Sequence, residues 1–376
     1  MLKARLIIIE PYGHQEVLDR WLPLLLDQVE TVECWLSREI ETAALCPNAM
    51  AHHSLRIAQP EVGLSFKSWL REKVRSIQKT DIILWLTTGL HYGPLLWLPK
   101  EARLLVLVHN VHTILRPKLH WQGIMRAWPS LLKYYATRQY IARRKLLQRE
   151  PTLIFPSARL AQTANELGYP VEKLVVWPFS YSAGQLPINY PLRTTIVVPG
   201  GVKPRQRDYR LFKEVIEDWA GQHQMQARLV FLGQCKSEEF CREWSQFAAK
   251  FSNIEVICFK DAVPDDLYDM WMKKADLVVL PLKEQVTFGP FVERVESSKV
   301  SGGVYDALYY SKPLLIPSFY AKAHLPSGLT VAHYGNEKEG SEGIRTLLNS
   351  SLETRAEDGR LELGEQMRIT LQKAHG

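Results

Sequence analysis

Lys299-Val300-Ser301-Gly302-Gly303-Val304-Tyr305-Asp306-Ala307-Leu308, followed by Ser311-Lys312-Pro313-Leu314-Leu315-Ile316-Pro317, reads as a loop, a short helix, a turn and a buried strand. Glycines at a helix start let a phosphate approach bare backbone. The free N–H groups and the positive end of the helix dipole then stabilise its charge. Lys299 stands beside that start, and Asp306, near the first turn, can accept hydrogen bonds from a ribose diol. The competing reading is a serine cap, two loop glycines and an acid that complements the dipole.

Working outward, short β-branched runs alternate with helical stretches along the whole chain, as parallel sheets with crossover helices require. The first half shows strands at 5–9, 81–86, 104–108, 152–155 and 173–177. The second shows them at 194–198, 228–232, 254–258, 277–280 and 314–316, with helical periodicity at 209–219 and 237–250. Between the halves, Pro178 to Pro191 carries three prolines, a glycine and small polar residues without a period, which reads as a linker. The expected division is therefore 1–180, a linker over 181–192, a second domain over 193–355 and a charged C-terminal helix over 356–376, packing back toward the first domain. The fold class is α/β, with two Rossmann-like doubly wound domains.

A chain of 376 residues suits two domains, since one core rarely grows much past about 250 residues. Its 46% hydrophobic and 23% charged residues exclude a disordered chain. The longest apolar runs, such as Leu104 to Val108, have strand length and fall well short of the roughly 20 residues a bilayer needs. The N-terminus runs straight into a strand and lacks the pattern of a signal peptide. Five cysteines without a C-x-x-C pair argue for a reducing compartment and against a zinc site. A net charge of +7 and a pI near 9.0 call for an anionic partner without saying which.

Directly after the first strand of the second half comes Pro199-Gly200-Gly201-Val202-Lys203-Pro204-Arg205-Gln206-Arg207-Asp208. Two glycines and three cations in one strand-to-helix loop suit a second grip on a diphosphate, although a solvated basic loop has the same composition. Neither half carries the G-x-G-x-x-G fingerprint or a P-loop. Asp265-Asp266 follows Pro264 and reads as a helix start, not a metal-binding pair. The G-x-S-x-G elbow and H-E-x-x-H are absent, so hydrolase readings have no support.

Taken in order, these segments resemble the donor domain of group 1 glycosyltransferases of the GT-B fold. The series runs from Gly200–Arg207 through Phe231-Leu232-Gly233 and Ile254–Lys260. It continues with Ala275-Asp276-Leu277-Val278-Val279-Leu280-Pro281 and ends with Ser301–Ile316. The match covers roughly residues 192–320. Where that family carries two glutamates eight residues apart, this chain has Ser298 and Asp306. The resemblance implies two domains facing a cleft, a nucleoside diphosphate sugar as donor, no metal or other cofactor, and transfer to a hydroxyl acceptor on a glycan or lipid-linked precursor. It places Lys203, Arg205, Lys299, Ser301, Gly302 and Gly303 on the diphosphate and Asp306 on the ribose. In the first half, Leu104 to Val108 leads into His109-Asn110-Val111-His112, and the resemblance sets His109 over the donor sugar. Glu10 and His14 of Glu10-Pro11-Tyr12-Gly13-His14 stand at the end of the first strand, where open α/β sheets bind ligands, and His112 is a further candidate.

From Arg116 to Arg149 there are nine Lys/Arg and no acid, interleaved with Trp121, Trp128, Tyr134, Tyr135 and Tyr140. Such a segment suits an anionic membrane surface, although the cations do not segregate cleanly on a helical wheel and a solvated basic face is the plainer reading. No nucleic-acid motif accompanies it, so nucleic acid is not an expected partner. These features imply a cytoplasmic protein, peripheral on the inner face of the membrane. A nucleotide-sugar 2-epimerase of the same fold and a non-catalytic membrane-associated scaffold are the alternatives.

Overall fold

Arg5-Leu6-Ile7-Ile8-Ile9 offers apolar side chains to both faces of a strand, a pattern stable only inside a parallel sheet covered on both sides. The computed structural model, which describes residues 2–375 apart from 41, 43, 44, 46, 120, 183–192, 223–225 and 350–358, places it there. The strands of the first half are β1 (Leu2–Glu10), β2 (Val29–Leu36), β3 (Leu55–Ala58), β4 (Ile82–Trp85), β5 (Arg103–Leu107), β6 (Thr152–Phe155) and β7 (Leu174–Val176). They form one parallel sheet in the order β3-β2-β1-β4-β5-β6-β7.

The second half contributes β8 (Thr194–Pro199), β9 (Ala227–Gln234), β10 (Ile254–Phe259), β11 (Leu277–Val279), a two-stranded ribbon of β12 (Gln285–Phe288) and β13 (Phe291–Arg294), β14 (Leu314–Pro317) and β15 (Val331–Tyr334). Six of these make a second parallel sheet, β10-β9-β8-β11-β14-β15. One face of it is filled by an aromatic core in which Phe212, Phe231, Phe240, Trp244 and Phe247 pack edge to face. In each sheet the strand order reverses once, between β1 and β4 and between β8 and β11, and ligands of open α/β sheets bind outside the carboxyl ends at that point.

The chain separates into two compact units. The first takes Met1–Phe179, Thr287–Val300 and Arg360–Gly376; the second takes Ser180–Val286 and Ser301–Gly359. This differs from the continuous division expected over 193–355, because 287–300 leave the second half and join the first unit. Residues 183–192 of the expected linker and 356–358 of the C-terminal segment lie outside the described residues. The helix Gly359–His375 buries Leu363, Met367 and Leu371, and Thr370 Oγ1 accepts a hydrogen bond from Trp177 Nε1 at 3.2 Å. No described helix is long and apolar enough to cross a membrane.

Candidate active site

In the second unit, the loop after β8 is sewn to the loop after β11. The Asp208 N–H donates to the Pro281 carbonyl at 2.7 Å and the Lys283 N–H to that of Gln206 at 3.1 Å, while Arg207 and Leu282 form an antiparallel bridge. Asp208 also accepts from the Leu211 N–H at 3.1 Å, so the helix Tyr209–Gln222 already has its anion. The carboxyl end of β9 closes in from the other side. A Cβ at Gly233 would lie 2.4 Å from the Gly200 carbonyl carbon, so only glycine permits this backbone-to-backbone approach.

Into this corner the helix Gly302–Tyr309 points its start. A Cβ at Gly303 would fall 2.5 Å from Leu280 Cδ2 and 3.2 Å from Pro199 Cγ, so the helix begins flush against the ends of β8 and β11. On its other side Gly302 is open, with nothing within 4 Å of a Cβ placed there. Ser301 precedes the helix in extended conformation and its hydroxyl caps no N–H. Among the described residues, the N–H groups of Gly302 and Gly303 find no acceptor, whereas the helix starts at Tyr209 and Glu238 have side-chain acceptors in Asp208 and Ser237. What remains is a bare, positively polarised backbone corner of the kind that holds an anion.

Asp306 is half-buried on the same helix and accepts from the Tyr268 hydroxyl at 2.8 Å. Tyr268 lies on the helix Asp265–Lys274, whose first turn carries the Asp265-Asp266 pair, as expected of acids at a helix N-terminus. Lys203 and Arg205 are exposed. Arg207 is the cation built into the loop: its Nη2 donates to the Pro199 carbonyl at 2.5 Å, and its Nη1 is buried without a partner among the described residues. Lys299, expected beside the diphosphate, falls in the first unit, where its Nζ donates to Asn110 Oδ1 at 3.1 Å.

In the first unit, the carboxyl ends of β1, β4 and β5 bring together Glu10, His14, Leu86, Thr87, His109 and Asn110. Glu10 is fully buried and its carboxylate is occupied. Oε1 accepts from the N–H groups of Tyr12 (2.7 Å) and Gly13 (2.9 Å), and Oε2 from the Thr87 hydroxyl (2.7 Å). Glu10 therefore holds the loop that carries His14. The His14 and His109 rings stack at 4.2 Å, and Phe179 continues the stack on His109 at 5.1 Å. His109 Nε2 donates to the Leu86 carbonyl at 3.1 Å, which leaves Nδ1 as its accepting atom.

The two imidazoles are driven apart in acidity. Burial, with His14 and Lys299 adding, pushes His109 well below the ordinary histidine value. For His14 burial pulls the same way, but the Glu16 carboxylate at 3.3 Å, helped by Glu10, outweighs it and raises the imidazole. The structure thus brings His14, His109 and Lys299 together. It does not add His112, whose N–H and ring face Glu293.

No protein-family model matches the chain, and no curated protein matches it in sequence. In three dimensions the likeness is extensive. HepE of Anabaena, crystallised with UDP and glucose, aligns over 98% of this chain and 100% of its own at 15% identity, with a TM-score of 0.58. A putative UDP-N-acetylglucosamine 2-epimerase from Listeria monocytogenes covers 99% of this chain and 96% of its own at 12% identity and 0.57. A glycosyltransferase from Rickettsia africae covers 100% and 98% at 11% identity and 0.57. The fold is GT-B. At these identities the likeness is one of fold alone.

Within the GT-B frame, several site residues escape a sequence reading. Tyr268 reaches Asp306 from a separate helix, and Thr87 reaches Glu10 from the end of β4. Glu293, fully buried, accepts from the Thr113 N–H (2.7 Å), the Thr113 hydroxyl (2.6 Å) and the His112 N–H (3.3 Å). The Val111 N–H donates to the Ser298 carbonyl at 2.8 Å. The start of the helix Val111–Leu115 is thereby filled by the chain itself. Ser298, at the position of the first paired acid in the group 1 pattern, is buried and ties the turn from Arg294, whose N–H donates to its Oγ at 2.8 Å. Among the described residues no group of three or more His, Cys, Asp or Glu side chains converges as metal ligands.

Proposed function

We propose that this chain is a glycosyltransferase that moves a sugar from a nucleoside diphosphate donor to a hydroxyl of a glycan or lipid-linked acceptor, without a metal ion. The observation that carries the reading is the uncapped start of the helix Gly302–Tyr309, set flush against the ends of β8 and β11. The backbone N–H groups of Gly302 and Gly303, with Lys203, Arg205 and Arg207, stabilise the negative charge that grows on the departing diphosphate. Asp306, oriented by Tyr268, takes the ribose. HepE's structures with UDP and with UDP-glucose support a donor of this chemical class on this fold.

The acceptor belongs to the first unit. As the bond from the sugar's anomeric carbon to the diphosphate breaks, its electron pair stays on the diphosphate oxygen, a bond to the acceptor oxygen forms and the hydroxyl proton passes to the departing diphosphate. His109, held neutral with Nε2–H on Leu86, offers Nδ1 to a hydroxyl. Lys299 keeps positive charge beside it, His14 holds its proton to higher pH than an ordinary imidazole because of Glu16, and Glu10 positions the loop without reacting itself.

The test is a thermal-shift panel of UDP, GDP, TDP, ADP and CMP with their sugars. At least one nucleoside diphosphate is expected to stabilise the chain, and Asp306→Ala to weaken that ligand by about tenfold, the loss of one or two charge-assisted hydrogen bonds. Absence of any shift at millimolar ligand would remove the donor site. Conversion of the donor sugar with no acceptor present would favour a 2-epimerase instead.

A further inference from the structure

The surface between Leu119 and Lys145 departs from what a folded chain normally leaves in water. On the helix Trp121–Ala136, Met125 is 64% exposed, Trp128 and Leu132 51% each and Tyr135 47%. Trp128, Leu132 and Tyr135, four and three residues apart, lie along one stripe. Met125 precedes a bend at Ala127, where the backbone leaves helical geometry (φ −107°, ψ 21°) two residues before Pro129. Core packing does not account for the stripe. The inward face is supplied by Leu131 and Tyr134, both buried, with Tyr134 edge-on to Phe291 at 5.5 Å. Leu119 (48%) and Tyr140 (37%) extend the exposed apolar surface at either end. Solitary exposed apolar residues need no explanation, but a contiguous stripe of this size marks an interaction surface.

Along this stretch of chain the charge has one sign. Arg116, Lys118, Lys133, Arg138, Arg144 and Lys145 are exposed, and there is no acid from 116 to 149. Two other arginines of the stretch are otherwise engaged. Arg143 donates to the carbonyls of Ile114 (2.8 Å) and Leu115 (3.1 Å), and Arg149 to those of Leu95, Leu98 and Pro99. Once these are set aside, the poor segregation of cations on the sequence wheel no longer argues against an amphipathic surface.

We infer that this face of the first unit docks on an anionic lipid surface. Met125, Trp128, Leu132 and Tyr135 enter the headgroup boundary while the surrounding lysines and arginines meet lipid phosphates. Charge complementarity selects this occupant. A second copy of the chain would set the same basic surface against itself, and a nucleic acid backbone gives Met125 and Leu132 no apolar partner. The inference does not depend on the donor chemistry proposed above.

Sedimentation of the full chain with phosphatidylcholine vesicles, with and without phosphatidylglycerol, tests it. The chain is expected to bind the anionic vesicles and to leave the neutral ones largely unbound. A Trp128→Ser, Leu132→Ser, Tyr135→Ser triple variant is expected to lose binding by about tenfold or more, and a separate Lys133→Glu, Lys145→Glu variant by a similar factor that shrinks at high salt. Circular dichroism of both variants should match the parent, because every replaced side chain is exposed. Failure of the parent to bind anionic vesicles would overturn the inference, as would undiminished binding by the triple variant. Self-association without lipid that the triple variant abolishes, or capture of an acidic polypeptide in preference to vesicles, would assign the face to a different partner and equally overturn it.

Discussion

His14 and His109 show how two identical side chains acquire different chemistry from their surroundings. Their rings stack, yet Glu16 and Glu10 lift His14 while burial, His14 and Lys299 hold His109 down. Raised His14 contributes stability below its unfolded value of about 6.5, which is lost as pH climbs past its folded value. Lowered His109 removes stability as pH falls from about 6.5 toward its folded value. Imidazole titration by NMR should therefore resolve one histidine above the ordinary value and one below, and Glu16→Gln should lower the His14 titration. Both rings titrating together near the ordinary value would contradict this account. At this scale the sequence was only half legible. A histidine at a strand end is visible, but the stack that separates His14 from His109 joins residues far apart in the chain. Glu10 reads as a candidate acid because the fold of the loop that turns the Tyr12 and Gly13 N–H groups onto it is not visible in sequence, and Thr87, which takes its other oxygen, lies far along the chain.

Among the elements, the run from Thr287 to Val300 behaves least as its position suggests. It follows β11 in the chain, yet it packs with the first unit through Glu293 and Ser298, which fill the start of the helix Val111–Leu115. Glu293→Gln replaces one accepting oxygen with an amide that meets the His112 N–H donor to donor. A loss of about 1–3 kcal/mol is expected in denaturant unfolding, and an unchanged midpoint would mean that the buried carboxylate does not hold this segment. Backbone N–H groups leave no trace in sequence, so the partnership could not be read from it. The central strands could, because burial on both faces writes itself as uninterrupted Ile, Val and Leu. β2 could not. Glu33 sits inside it only because Arg5 and Lys73 arrive to pair with its carboxylate at 3.3 and 3.2 Å. The short strands β3 and β15 lie at sheet edges and are half-exposed, which dilutes the apolar signal on which strand reading depends.

For the whole molecule, two parallel sheets that each reverse strand order once create two places where loops gather, and the chain furnishes them differently. One gathers stacked histidines, a lysine and a buried acid that braces its loop. The other gathers glycines and an uncapped helix start beside cations. This division was legible from the order of segments along the second half, since Gly200 follows β8, Gly233 lies in the last residues of β9 and Ser301-Gly302-Gly303 opens a helix. Amide hydrogen exchange, followed by mass spectrometry while nucleoside diphosphates are added, tests the central claim most directly. The ligand that binds is expected to slow exchange at residues 302–304 and in the loop after β8. Binding that leaves both segments unprotected would contradict it.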